Sequence, residues 1–165
     1  MAKINSKNKG SAFERKIAAL LTSWSGMEFH RTPGSGSLHW KDDNNVTGDI
    51  VAPFNINFPI SIECKKHEVD WEFDKILIET SSIWKFWKQA CEDSLRHEVK
   101  EPWLIFAKNH REIYLMMNYS FFEKLSTKQS KLKENPFIII TTRNKNTVII
   151  DFKSFLNAVS LNDII

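Results

Sequence analysis

The stretch that decides the fold is Ile60-Ser61-Ile62-Glu63-Cys64-Lys65, in which apolar and polar side chains alternate. This period of two predicts a strand, because successive side chains on a strand point to opposite faces of a sheet. The isoleucines and the cysteine should face a core, while Ser61, Glu63 and Lys65 share the opposite face. The strand therefore presents a carboxylate and an ammonium group, two residues apart, on the same side.

A second short strand is predicted just upstream, over residues 49–52. A turn around residues 55–59 would lay it antiparallel to the first strand and bring Asp49 near Glu63. Two carboxylates at close range raise each other's pKa, and the pair is costly unless it shares a cation. Carboxylate oxygens are hard ligands that suit Mg²⁺ or Mn²⁺. We therefore expect a divalent cation beside Asp49 and Glu63.

The rest of the chain alternates between helical and strand patterns. Apolar spacing predicts one helix over residues 11–24, with Ser11 as the N-cap and Gly26 at its C-terminal end, and another over residues 82–98. Further strands are predicted at residues 28–31, 102–107, 112–117, 136–142 and 147–152, and short helices at 120–125 and 153–158. Residues 68–79 have no clear pattern. This element order indicates a mixed α/β fold around one central sheet.

Composition and charge favour one globular domain with two basic ends. The 165 residues are 42% hydrophobic, and no apolar stretch approaches the roughly 20 residues that span a bilayer. We expect a single domain over residues 1–165, with residues 1–10 as a basic, flexible arm. Residues 1–39 and 108–133 each carry a net charge of +4, whereas residues 40–101 carry −5. Either these are solvated surface charges or a polyanion-binding rim surrounds a cation-binding centre.

Glu14 has two competing interpretations. Ser11-Ala12-Phe13-Glu14 has the form of a capping box, in which the carboxylate would bond the backbone of the N-cap. The alternative is a role beside the cation. A Glu14→Gln substitution separates them, because glutamine can serve a capping box but is a poor ligand for a hard cation.

Four motifs, taken in order, resemble those of the PD-(D/E)XK nuclease superfamily. They are Lys9-Gly10-Ser11-Ala12-Phe13-Glu14-Arg15, then Arg31 with Pro33-Gly34-Ser35-Gly36, then Gly48-Asp49-Ile50-Val51, and then Ile62-Glu63-Cys64-Lys65. Within the superfamily they are most similar to the archaeal-type Holliday junction resolvases and their phage relatives. The resemblance covers about residues 7–66, and the chain departs from the family pattern in an insertion at residues 38–47.

The resemblance implies a restriction-endonuclease-like α/β fold, with a central mixed β-sheet flanked by helices. It implies a magnesium-dependent endonuclease, with Mn²⁺ as a substitute, in which Asp49 and Glu63 bind the metal. Glu14 would support the metal or its water, and Lys65 would stabilise the attack. Ser35 is similar to a family serine near the scissile phosphate, although a flexible turn explains it equally well.

The same resemblance implies a homodimer that cuts four-way DNA junctions in the cytoplasm of a bacterial, archaeal or phage-infected cell, since paired strands need two symmetric sites. Phosphate contacts are expected from basic side chains: Lys3, Lys7, Lys9, Arg15, Lys16, Arg31 and Lys66. Two alternatives stay open. One is a nuclease of this superfamily acting on flaps, nicks or duplex, and the other is a nucleic-acid-binding module that makes no cut.

Gln89 and three of the tryptophans are further candidates for assignment. Gln89 is similar to a polar helix residue that borders such sites, but a solvated helix face is favoured. Trp87 and Trp103 are predicted to be buried, whereas Trp40, beside Lys41, is predicted to contact nucleic acid.

Overall fold

A computed structural model describes residues 6–32, 48–66, 72–96, 100–108 and 110–165 of the chain. The helices in these ranges are α1 (Ser6–Ser25), α2 (Phe73–Leu77), α3 (Ser82–Ser94), α4 (Tyr119–Lys128), α5 (Lys131–Glu134), α6 (Phe152–Ala158) and α7 (Leu161–Ile164). The strands are β1 (His30–Arg31), β2 (Ile50–Val51), β3 (Ile60–Lys66), β4 (Glu101–Ala107), β5 (Ile113–Asn118), β6 (Phe137–Thr141) and β7 (Asn146–Asp151).

Five strands form a central mixed sheet in the order β3-β4-β5-β7-β6. β3 runs parallel to β4, with Glu63 opposite Leu104, and the other neighbours are antiparallel. β1 and β2 form a separate antiparallel pair, with Arg31 opposite Ile50. β3 is therefore an edge strand of the central sheet, and its outer side is available to the segment that carries Asp49.

Helices cover both faces of the central sheet. On one face Trp103 belongs to a core that includes Ile17 of α1 and Phe155 of α6. Leu104, the next residue along β4, belongs to a second core with Trp87 of α3. Strands buried on both faces have nearly continuous apolar sequences, as β4 does. Trp87 and Trp103 are 4% and 0% exposed, which confirms their predicted burial.

The first helix begins at Ser6 rather than at Ser11. Residues 6–10 are polar and carry no apolar spacing, which is the signal that helix prediction uses. Because Ser11 lies inside α1, the capping-box interpretation of Glu14 is wrong. Residues 6–10, which we expected in a flexible arm, form the first turns of the helix. Gly26 ends the helix as predicted, with φ of 69° and its N–H donating to the Thr22 carbonyl at 2.9 Å.

The predicted antiparallel pairing of residues 49–52 with β3 is wrong. β2 pairs with β1, and Gly48 forms an isolated bridge to Ile62 in the parallel orientation. The Asp49 N–H donates to the Ile62 carbonyl at 2.8 Å. Alternation within a short strand shows which side chains share a face, but it does not specify the partner strand.

The remaining elements lie close to their predicted positions. α3 ends at Ser94, which leaves Leu95 63% exposed. α2 lies in the segment without a clear pattern, and α5 and α7 are too short to show helical periodicity. The predicted turn before β7 is present, since the Thr142 N–H donates to the Lys145 carbonyl at 2.8 Å. Among the described residues, none of the helices is long and apolar enough to cross a membrane.

Gly48 allows the close approach of the Asp49 segment to β3. It has φ of 75°, and a Cβ added there would lie 2.3 Å from the Ile62 carbonyl oxygen. We predict that Gly48→Ala lowers the free energy of unfolding by about 2 kcal/mol or more, because positive φ and a backbone clash act together. Calorimetry measures the loss. Gly26→Ala is the matched control, since Gly26 has positive φ but nothing within 4 Å of the added Cβ. Equal losses for both variants would contradict the close approach.

Candidate active site

Asp49 is attached to the outer edge of β3 through both its backbone and its side chain. Its N–H donates to the Ile62 carbonyl at 2.8 Å, and its Oδ2 accepts from the Cys64 N–H at 2.9 Å. These two β3 residues flank Glu63, so the Asp49 carboxylate is held beside that of Glu63. The structure thus brings the two acids together, although through a different pairing from the predicted one.

Thr32 holds the Asp49 segment from its other side. The Thr32 N–H donates to the Asp49 carbonyl at 2.9 Å, and the Thr32 hydroxyl donates to the Gly48 carbonyl at the same distance. Thr32 is buried and directly follows β1. The end of β1 therefore fixes the backbone that presents Asp49.

Glu63 lies in a polar cluster on the face of β3 that α3 covers. Its Oε1 accepts a hydrogen bond from Gln89 Nε2 at 2.7 Å and forms an ion pair with Lys65 Nζ. Lys65 Nζ also lies 5.7 Å from the centroid of the Phe86 ring. The period of two in the sequence placed Glu63 and Lys65 on one face, and there they meet. Gln89 is exposed, as a solvated helix residue would be, but its side chain also contacts the candidate site.

Burial dominates the electrostatics of the two carboxylates. Asp49 and Glu63 are 8% and 3% exposed. Burial raises the pKa of Asp49 to about 6, against the hydrogen bond from Cys64 that lowers it. Burial and, to a smaller extent, the charge of the nearby Asp49 raise the pKa of Glu63 to about 7, against the effect of Lys65 that lowers it. Both acids are therefore held where their charged forms are disfavoured.

Lys65 keeps its positive charge beside these acids. Burial lowers the pKa of Lys65, but the Glu63 carboxylate more than offsets this effect through its charge and its hydrogen bond. The pKa of Lys65 consequently lies above its ordinary value. The amine is an ammonium group at neutral pH.

Glu14, the third predicted acid, lies on α1 and forms an ion pair with Arg31 Nε. It is close enough for its charge to raise the pKa of Asp49. Its carboxylate is nevertheless held by Arg31. Among the described residues, no group of three or more His, Cys, Asp or Glu side chains is arranged to hold a metal ion. The structure therefore brings Asp49 and Glu63 together but does not gather Glu14 with them as a third ligand.

The donor chemistry of Asp49 and Glu63 fits a hard divalent cation. Two buried carboxylates whose pKa values are raised would be stabilised by a nearby double positive charge. Mg²⁺ usually keeps several waters and is bound through one or two carboxylates. The donor chemistry of the pair therefore fits such a cation without a contribution from Glu14.

The residues predicted to contact phosphates differ in their availability. Arg15 and Lys16 on α1 and Lys66 at the end of β3 are exposed. Arg31 is engaged with Glu14, and its side chain is 26% exposed. Lys7 and Lys9 belong to α1, but their side chains lie outside the described residues. Lys3, Ser35, Trp40 and the insertion at residues 38–47 also lie outside the described residues.

The sequence-based prediction missed Asp93 on α3. Asp93 is 6% exposed, its charge raises the pKa values of both Asp49 and Glu63, and Arg96 Nη2 lies 2.7 Å from its Oδ1. It follows Gln89 by four residues, so the two side chains lie on the same helix face. The four-residue spacing from Gln89 is the sequence signal for Asp93. It points to the site only when Gln89 is known to contact β3.

Comparison with known proteins extends the similarity over nearly the whole chain. A family model described as "Phage putative PDDEXK endonuclease" matches residues 5–165. Protein D14 of Escherichia phage T5 is 25% identical over 170 residues, which is 98% of each chain. No solved structure matches the chain significantly. Together with the mixed sheet and its flanking helices, the family match confirms the predicted restriction-endonuclease-like fold.

The raised carboxylate pKa values predict that the metal-free protein loses stability as the pH rises. A carboxyl group with a higher pKa in the folded chain binds protons more tightly when folded. Its stabilisation is therefore present below about pH 4 and is lost as the pH rises through about 6 for Asp49 and about 7 for Glu63.

In EDTA, the Tm of Asp49→Asn should exceed that of wild type, by a margin that grows between about pH 4 and pH 6 and then levels. Scanning calorimetry across this range measures the margin. Asp74→Asn, which changes an exposed acid on α2, is the matched control. A pH-independent margin for Asp49→Asn would contradict the desolvation of this carboxylate.

Proposed function

Because the chain belongs to the phage PDDEXK endonuclease family, we propose that it is a metal-dependent, structure-selective DNA endonuclease. Its substrate would be the four-way Holliday junction, and its reaction the hydrolysis of phosphodiester bonds. The observation that carries the proposal is the cluster of Asp49, Glu63 and Lys65 at the edge of β3. Two like charges buried side by side destabilise a fold, so a structural role does not account for them.

Asp49 and Glu63 would hold Mg²⁺, for which Mn²⁺ can substitute. The bound ion supplies Lewis-acid chemistry, because it lowers the pKa of water and withdraws charge from a phosphate. The protein's part is to orient the two carboxylates before the substrate arrives. The Cys64 N–H fixes Asp49, while Gln89 and Lys65 fix Glu63.

Lys65 would stabilise the negative charge that develops on the phosphate during attack. Its raised pKa keeps it an ammonium group, which can neutralise charge but cannot accept a proton. This favours an electrostatic role for Lys65 over that of a general base.

Glu14 and Ser35 would act around this centre. Glu14 lies within electrostatic reach of Asp49 but is held by Arg31, so we assign it to positioning the attacking water. Ser35 would lie near the scissile phosphate, an assignment that rests on the resemblance of the Gly34-Ser35-Gly36 loop.

The acid cluster makes a direct prediction about cleavage. Asp49→Asn and Glu63→Gln should each reduce nicking of supercoiled plasmid in Mg²⁺ or Mn²⁺ by about 10²-fold or more, because each removes a charge that the reaction requires. Gel analysis of products against an EDTA control measures this. Glu134→Gln, which changes an exposed acid on α5, should leave nicking unchanged.

The same assay tests the alternative from another class, a nucleic-acid-binding module that makes no cut. That alternative predicts salt-dependent retention of DNA without products. Equal behaviour of wild type and Asp49→Asn would remove the enzymatic proposal and leave this one.

Junction preference is a separate prediction. The resemblance to resolvases favours branched DNA and a homodimer, whereas the alternative is a related nuclease that acts on flaps, nicks or duplex. We expect kcat/KM on a synthetic four-way junction to exceed that on a linear duplex of the same arm sequence by about 10-fold or more, with paired symmetric cuts. Sedimentation should give a dimer. Equal rates on the two substrates would contradict the resolvase assignment without affecting the nuclease assignment.

A further inference from the structure

A cavity of about 390 Å³ opens at the end of the sheet where β3 and β4 stop. Its walls come from α1, from the ends of these strands and from the turn between β4 and β5. The residues that give the cavity its character are Phe13, Lys16, Lys66, Lys108, His110 and Arg111. The cleavage step proposed for Asp49, Glu63 and Lys65 does not use this cavity.

The cavity has the charge of an anion-binding site. Its four cationic residues are Lys16, Lys66, Lys108 and Arg111, and among the residues that the structure describes no acidic one lines it. Within the described parts of the chain, none of the four forms an ion pair. Glu112, the acid in the same turn, is 4.0 Å from Lys153 instead. Four like charges around one space that no described acid neutralises repel each other, and a bound anion relieves that repulsion.

The cavity is adjacent to the candidate active site along two elements. Lys66 directly follows Lys65 on β3, and Phe13 directly precedes Glu14 on α1. Alternation places Lys65 on the face covered by α3 and Lys66 on the opposite face, about 3.3 Å farther along the strand. Asp49 lies at the outer edge of the same strand, and Glu63 lies on the face of that strand that α3 covers. A chain of linked phosphates can therefore follow a short path around the end of β3 and contact both features.

The size and lining of the cavity suit a phosphate that carries a sugar. Its 390 Å³ is far more than a single small ion needs, since a water molecule takes about 30 Å³ in the liquid. Phe13, Ala107 and Ile113 provide an apolar wall beside the cations. Such a wall can pack against a deoxyribose, whereas a bare anion makes no favourable contact with apolar side chains.

We infer that this cavity binds a backbone phosphate of the DNA strand, next to the one that is cut. The inference rests on the proposed function and deepens it by assigning a second phosphate site. Lys16, Lys108 and Arg111 supply charge from two elements that are far apart in sequence, and Lys66 supplies it from β3. Contacts of this kind determine affinity and register but read no bases, which agrees with an enzyme that selects DNA structure.

The test measures DNA affinity of the full chain in EDTA as a function of salt concentration. The cavity variant is Lys108→Gln with Arg111→Gln, and the control is Lys124→Gln with Lys133→Gln, which removes two exposed charges from α4 and α5. One lost phosphate contact lowers the slope of log K against log salt by about 0.9. We expect the cavity variant to show this loss of slope and roughly 10-fold weaker binding at low salt, whereas the control keeps the wild-type slope.

A second variant guards against misfolding of the turn. Lys16→Gln changes the cavity from α1 and leaves the turn intact, so it should also lower the slope. Calorimetry confirms that each variant is folded. Wild-type slopes for both the turn variant and Lys16→Gln would overturn the inference.

Two further measurements complete the test: the binding of free anions and the kinetics of cleavage. If millimolar inorganic phosphate or a deoxynucleoside monophosphate stabilises wild type while the DNA slope of the cavity variant is unchanged, the cavity binds a free phosphate and the inference is wrong. In Mg²⁺, the cavity variant should cut with raised KM and unchanged kcat. If the wild-type protein does not cut DNA but the cavity variants still lower the salt slope of binding, the proposed cleavage is wrong and the cavity assignment stands. If the wild-type protein cuts DNA but all variants have the same salt slope, the cavity assignment is wrong and the proposed cleavage stands.

Discussion

The hydrogen bond from the Cys64 N–H to Asp49 is the contact on which the candidate site depends. An edge strand has backbone groups without a neighbouring strand, and in this protein a carboxylate and a main-chain N–H take the place of that neighbour. The same bond lowers the pKa of Asp49 and so reduces the penalty for burying it. It forms only because Gly48 lets the two backbones approach. Gly48, which has no side chain, thus determines where Asp49 lies.

The acids lie where three layers of the fold meet. Glu63 of β3 points toward α3, where the side chain of Gln89 donates a hydrogen bond to its carboxylate. α1 covers the other face and carries Glu14, which reaches Asp49 through its charge. Burial raises the pKa values of the acids, which weakens the metal-free fold. The repulsion that destabilises two neighbouring carboxylates is also what favours a divalent cation between them, so the instability follows from the proposed chemistry.

The basic and acidic segments of the sequence correspond largely to separate basic and acidic sites in the structure. Asp49 and Glu63 come from the acidic middle segment. The cationic cavity draws Lys16 from the first basic segment and Lys108 with Arg111 from the other. Lys66 joins the cavity from the acidic segment, because alternation turns it away from Lys65 and from the acids. Of the two interpretations of the charge distribution, these positions favour a polyanion-binding rim around a cation-binding centre, which is the arrangement that the two proposals require.

The sequence by itself determined the strand over residues 60–65, its two faces and the meeting of Glu63 with Lys65, because alternation is a local property of extended backbone. It also indicated that Asp49 would approach Glu63, but it assigned the wrong pairing, since a short strand carries no information about its partner. Only the tertiary structure decided that Glu14 binds Arg31 rather than capping α1, and that Gln89 and Asp93 of α3 lie near the acids. Gln89 and Glu63 are 26 residues apart, and no local pattern connects them. Their contact depends on how α3 packs on the sheet, which is a property of the assembled core and not of any one segment.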